Sequence, residues 1–186
     1  LFDSAVSKRM YVTGGVGSSN LGEAFTLDYD LPSDTAYAET CASIALIFAA
    51  RRMLEIEVLG VYGDAMERAL YNTCLAGMSL DQQTFFYVNP LSVYPEASKR
   101  DDRKRHVLPV RPKWFGCACC PPNLARLLSS LALYACSVDG AFLNVHLYIQ
   151  GEMLLDAGGQ EVSMKVTTDY PKDGRVRLGL SAGEYS

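Results

Sequence analysis

The segment FGCACCPPN, from Phe115 to Asn123, crowds Cys117, Cys119 and Cys120 together and follows them at once with Pro121 and Pro122. Adjacent cysteines are poor disulfide partners, because the ring they would close is strained and their Cα separation is short. Consecutive prolines suit the first turn of a helix, where the missing N–H groups cost nothing. The sequence therefore predicts a helix opening at Pro121–Pro122, with Leu124, Leu127, Leu128, Leu131 and Ala135 as its buried stripe. Cys119 and Cys120 then lie where unpaired N–H groups and the helix dipole favour an anion.

Upstream of this segment the patterning is mostly helical. A first helix runs to about Val12, a second covers about Thr40 to Glu55, and a third covers about Asp64 to Gly77 through Ala65, Ala69, Leu70, Cys74 and Leu75. A long irregular stretch follows from Gln82 to Cys120, broken by four prolines and carrying the charge run SKRDDRKRH. That run mixes both signs and reads as a solvated loop face. After Asp139–Gly140 the period changes to two: AFLNVHLYI, MKVTTDYP and RVRLGL read as short strands. The helical and β portions meet near residues 138–140. Cys74 and Cys136 fall in apolar helical patterns and read as small buried hydrophobes.

At 186 residues, 49% hydrophobic and 20% charged, the chain is of globular type. It opens at Leu1 inside a helical pattern and stops at Ser186 while strand alternation is still running, so we expect a piece of something longer. A net charge of −4 and a pI near 5.2 argue against nucleic acid or an anionic membrane as partner. The longest apolar run, CASIALIFAA, meets Arg51 and Arg52 well short of the roughly 20 residues needed to span a bilayer. Nothing in the sequence opposes a homo-oligomer.

The Gly-rich loop GGVGSSN does not make a dinucleotide site. It has Asn20 where the third glycine of that fingerprint belongs, follows a helix rather than a strand, and lacks the lysine of a phosphate loop. It reads instead as a tight turn that delivers Glu23.

A reduced cysteine cluster in one short turn is a ligand set for a soft or borderline metal, Zn²⁺ first. The spacing is not that of a zinc ribbon, and with only His106 and His146 in the chain a His-rich site is impossible. The best partner segment is AETCAS, where Glu39 and Cys41 flank a helix start. Irregular backbone there can aim both side chains one way, whereas a regular helix would point them apart. Glu39, Cys41, Cys119 and Cys120 would supply one carboxylate and three thiolates. On these residues alone the cluster reads first as a structural zinc site, then as ordinary buried thiols, with a nucleophilic thiolate or a redox pair of Cys117 and Cys119 as further readings. Reduced cysteines favour a cytoplasmic setting.

Four motifs in order, YVTGGVGSSNLGEAF, AETCAS, FFYVNPL and WFGCACCPPNLARLL, resemble glycoside hydrolase family 127, the β-L-arabinofuranosidases. The resemblance implies a mainly α chain with a β tail. Residues 1–138 would be the later half of an (α/α)6 barrel and residues 139–186 the start of a β-sandwich. It implies release of terminal β-L-arabinofuranose from an oligosaccharide or glycoconjugate, with retention. Carried over by motif, Cys119 is the nucleophile and Glu23 the acid/base. Glu39, Cys41, Cys119 and Cys120 hold Zn²⁺, Glu67 of MERALYN and Tyr87 of FYVN hydrogen-bond the sugar, and Cys117 is left structural. A glutamate that must begin protonated calls for a poorly solvated site near other anions. Histidines that line the family's sugar pocket belong to a part this chain lacks. Half a toroid would also leave apolar helix faces unpartnered, so the chain alone is expected to be inactive and marginally stable.

Overall fold

The computed structural model describes residues 1–140 and 142–182; Ala141, where the first predicted strand begins, and the closing GEYS lie outside them. The chain divides into two compact units, Leu1–Leu127 and Leu128–Ser186. The first is built from helices and loops and the second mostly from strands.

In the first unit, α1 covers Phe2–Lys8 and packs Phe2 edge-on against Tyr62, with ring centroids 5.2 Å apart. It ends earlier than the predicted Val12. Gly14 N–H donates to the Tyr11 carbonyl at 2.9 Å and Tyr11 N–H to the Gly15 carbonyl at 2.8 Å, so the chain reverses there. Gly14 takes φ +84° in that turn, a conformation that costs glycine nothing.

Helix α2, Thr40–Ile56, buries Ser43, Ile44, Ile47, Ala50 and Leu54, the three-to-four spacing of a helix face turned to a core. It packs on α3, Gly60–Ala69, whose Tyr62, Ala65, Met66 and Ala69 are buried. Helix α3 starts four residues before the predicted Asp64 and passes into a π-helical turn, Leu70–Leu75. That wider turn rephases the side chains, burying Thr73 and Cys74 together while Leu75 is only half-buried. Thr73 Oγ1 then donates to the Thr13 carbonyl at 2.8 Å, which docks the Gly-rich turn on this junction.

The irregular stretch holds two short helical pieces, α4 at Pro95–Arg100 and a 3₁₀ turn at Asp102–Lys104. The charge run is mostly solvated, as expected, but Lys104 turns inward to pair with Asp34. Next to it, His106 Nε2 lies 3.1 Å from the Thr35 carbonyl. Helix α5, Cys120–Ser129, begins one residue before the prolines, with Leu124 and Leu127 buried.

The second unit has α6, Ala132–Ala135, followed by two antiparallel sheets. Strand β1, Cys136–Asp139, pairs with β2, Phe142–Val145. Strands β3 (Gly151–Asp156), β4 (Glu161–Thr168) and β5 (Val176–Ala182) form a meander. In β4, Met164, Val166 and Thr168 are buried and alternate with exposed Lys165 and Thr167, the period-two signature of a sheet with one face covered. Cys136 is buried as predicted but opens β1 instead of lying in a helix. Its backbone is extended, and it pairs with Val145. Strand β3 is not among the strands that the sequence predicts.

Candidate metal centre and cavity

Two helix starts meet to make the site. Glu39 is the last extended residue before α2, with φ −61° and ψ 139°, and Cys41 lies on the first turn of that helix. The backbone around Glu39 is pinned from several sides. Ala38 N–H donates to the Gly17 carbonyl at 2.7 Å, and Thr40 N–H donates to the Tyr87 carbonyl at 2.9 Å. Asn89 Nδ2 donates to the Ala38 carbonyl at 3.0 Å. Because Glu39 is off the helix, the i and i+2 side chains converge, as they could not within it.

Cys119 and Cys120 come from the start of α5, where Asn123 N–H donates to the Cys119 carbonyl at 3.2 Å. One ligand atom from each of Glu39, Cys41, Cys119 and Cys120 lies within 4.8 Å of all the others. Cys41 Sγ is 3.5 Å from Cys120 Sγ, and Cys119 Sγ is 3.7 Å from Cys120 Sγ and 3.4 Å from Glu39 Oε1. A tetrahedral zinc with Zn–S bonds near 2.3 Å separates its sulfurs by about 3.8 Å, so this donor set fits such an ion with little movement. Burial pushes the Cys119 thiol up to about 12, and burial with the neighbouring Cys41 raises Cys120 as well. A metal bound among them reverses that balance and holds coordinating thiols as thiolates.

Tyr87 borders this cluster, its Oη 3.1 Å from Cys119 Sγ. Beyond it opens a cavity of about 370 Å³ whose walls include Glu23, Tyr37, Tyr87, His106, Phe115 and Cys117. Phe115 stacks at a tilt against Tyr87, with centroids 5.4 Å apart. Glu23 sits at φ +50° in the tight Ser19–Ala24 turn and accepts a 2.9 Å hydrogen bond from Tyr37 Oη. It is exposed, in contrast to the poorly solvated surroundings expected for it, because the turn that carries it stands at the surface of this unit.

Of the residues singled out from sequence, the structure gathers Glu39, Cys41, Cys119 and Cys120 into one cluster and places Tyr87 against it. Glu23 reaches the same region through the cavity. Glu67 is half-buried on α3 beside Tyr71 and is not among the residues that line the cavity. Cys117 is exposed on the cavity wall. Sequence reasoning passed over Tyr37, His106 and Asn89. Only Tyr37 carried a signal, two positions before Glu39 in an irregular segment.

The family model for the β-L-arabinofuranosidase GH127 catalytic domain matches residues 1–133. The chain belongs to this GH127 family. It is 43% identical over 178 residues to a protein of Bifidobacterium longum subsp. longum named non-reducing end beta-L-arabinofuranosidase, an alignment that covers 95% of this chain and 26% of that protein. Among solved structures it resembles Ara127N, a GH127 β-L-arabinofuranosidase from Geobacillus stearothermophilus T6. That superposition has TM-score 0.93 and 56% identity and covers 98% of this chain and 28% of the other. A second GH127 β-arabinofuranosidase superposes with TM-score 0.85 and 37% identity over 98% of this chain and 27% of its own. This GH127 chain thus spans about a quarter of the length of these relatives.

Proposed function

We propose that this chain is part of a retaining glycoside hydrolase that releases terminal β-L-arabinofuranose from an arabinose-containing oligosaccharide or glycoconjugate. Residues 1–138 would form the later half of an (α/α)6 catalytic barrel, and residues 139–186 would begin a β-sandwich. The observation that carries the reading is the convergence of Cys119 Sγ with Glu39 and Tyr87, beside a cavity that Glu23 lines.

Glu39, Cys41, Cys119 and Cys120 would hold Zn²⁺, which would lower the basicity of the sulfur and so make it a better leaving group. In the first half, Cys119 Sγ attacks the anomeric carbon, the bond from that carbon to the aglycone oxygen breaks, and Glu23 gives its proton to the departing oxygen. In the second half, the Glu23 carboxylate takes a proton from water, the water oxygen attacks the anomeric carbon, and the carbon–sulfur bond breaks. Two displacements at one carbon retain configuration; a sulfur replaces the usual second carboxylate. Tyr87 would hydrogen-bond the sugar hydroxyls from the cavity wall, and Glu67, which lies off that wall, is given the same role by its MERALYN motif alone.

Cys119→Ser, made in a full-length protein that contains this sequence, tests the reading. Turnover of an aryl β-L-arabinofuranoside should fall by about 10³-fold or more while zinc content and thermal midpoint hold. A variant that simply unfolds or sheds zinc would assign the cluster to a structural staple instead, and one that keeps its activity would rule out Cys119 as nucleophile.

A further inference from the structure

Glu23 stands on an exposed turn, yet an acid/base must present one oxygen to the leaving group reproducibly. Its side chain is tied by Tyr37, whose Oη donates to Glu23 Oε1 at 2.9 Å. Tyr37 lies between Ala36 and Ala38, both buried; Ala38 N–H donates to the Gly17 carbonyl, and Asn89 N–H donates to the carbonyls of Tyr37 and Ala38. The Tyr37 ring meets Tyr87 edge-on, with centroids 6.1 Å apart. Tyr87 Oη in turn is 3.1 Å from Cys119 Sγ. A run of side-chain contacts therefore links Glu23, Tyr37, Tyr87 and Cys119, with hydrogen bonds at its two ends and a ring contact in the middle. The segment that carries Tyr37 is the same one that presents Glu39 and Cys41 to the cluster.

We propose that Tyr37 is the positioning residue of the acid/base, fixing Glu23 through Oε1 so that Oε2 carries the proton toward the leaving oxygen, and referencing that oxygen to the Cys119 side of the site. The proposal rests on the acid/base role given to Glu23 above. Donation into Oε1 leaves the second oxygen free in both halves of the reaction, to give a proton in the first and take one from water in the second. Tyr37 makes no covalent step of its own. Loss of its hydroxyl frees the Glu23 side chain on a turn with no other side-chain hydrogen bond to it among the described residues.

Leaving-group dependence reads this role, because proton donation matters for a poor leaving group and little for an activated one. Tyr37→Phe, Glu23→Gln and the double variant are made in a full-length protein containing this sequence and assayed on an alkyl and a nitrophenyl β-L-arabinofuranoside. Tyr37→Phe removes only a hydroxyl, and zinc content and thermal midpoint report that the fold is kept. The expected result is a loss in kcat/KM of about 10-fold or more on the alkyl glycoside and less than about 3-fold on the nitrophenyl glycoside. In the Glu23→Gln background, Tyr37→Phe should cost little further, since the two act as one unit. Equal losses on both glycosides, no loss on either, or an undiminished cost beside Glu23→Gln would overturn the proposal. Glu23→Gln lacking any leaving-group dependence would instead sink the acid/base reading beneath it, and the single-variant data separate the two failures.

Discussion

Glu39 Oε1 and Cys119 Sγ lie 3.4 Å apart although 80 positions of chain separate them. The contact closes because two helices begin at the same point in space, each presenting its first turn. An N-terminus tolerates negative charge, so two of them facing one cluster favour thiolates and a carboxylate there. A cation gripped by both ends would tie α2 to α5 as a crosslink does, and its removal should be felt in stability as well as in chemistry.

That arrangement sorts the six cysteines by reactivity. In the zinc-loaded protein an aromatic disulfide reagent should modify exposed Cys117 at once. Cys41, Cys119 and Cys120 should react only after a strong chelator is added, and buried Cys74 and Cys136 only on unfolding. Thiol counting alongside metal analysis checks this; a protein whose cluster thiols all react promptly with no chelator present does not hold a metal there.

Gly14 is fixed by sterics. A Cβ at this position would come within 2.4 Å of the Ala69 backbone nitrogen, and its φ of +84° is already hostile to other residues. Gly14→Ala should destabilise the fold by about 2 kcal/mol or more, through strain and through pushing the Gly-rich turn off α3. The urea midpoint measures it, and a shift within experimental error would show that the turn can move away without cost.

Acid should loosen the cavity wall. Lys104 holds the Asp34 carboxyl below the usual range through a hydrogen bond and its charge, and Arg103 does the same to Asp101, down to about 2. Both are carboxylates depressed in the folded state. Their contribution is therefore fully present above the ordinary aspartate value of 3.8 and is lost as pH falls toward 2. Both carboxylates keep part of their surface in solvent, so the effect is small and shrinks with salt. Urea midpoints followed through this window should fall less steeply for Asp34→Asn than for the parent. Identical slopes would mean the pair contributes nothing.

The chain by itself should bind a hydrophobic dye and show no measurable turnover of an aryl β-L-arabinofuranoside. Ile56, Val58, Leu59 and Val61 lie exposed in close succession between α2 and α3, and Leu21, Phe25 and Leu27 are exposed around Glu23. Apolar surface gathered in this way is a liability in a free monomer. Robust activity from the isolated 186 residues would show that they already contain a complete pocket.

Local sequence sufficed wherever the physics is local. Pro121–Pro122 placed the start of α5 to within one residue, and the stripe of α2 and the alternation of β4 follow from side-chain periods of 3.6 and 2. That Glu39 and Cys41 meet Cys119 and Cys120 was legible for a similar reason, since both pairs sit at helix starts. Other features escaped because they depend on residues far away in the chain. The π turn at Leu70–Leu75 answers to Thr13 across 60 positions, and the inward turn of Lys104 answers to Asp34. Tyr37 gains its meaning only when Glu23 on one side and Tyr87 on the other close around it. A hydroxyl's role is set by what stands a bond length of hydrogen away, and that neighbour is chosen by the packing of the whole unit rather than by the residues next to it in the chain.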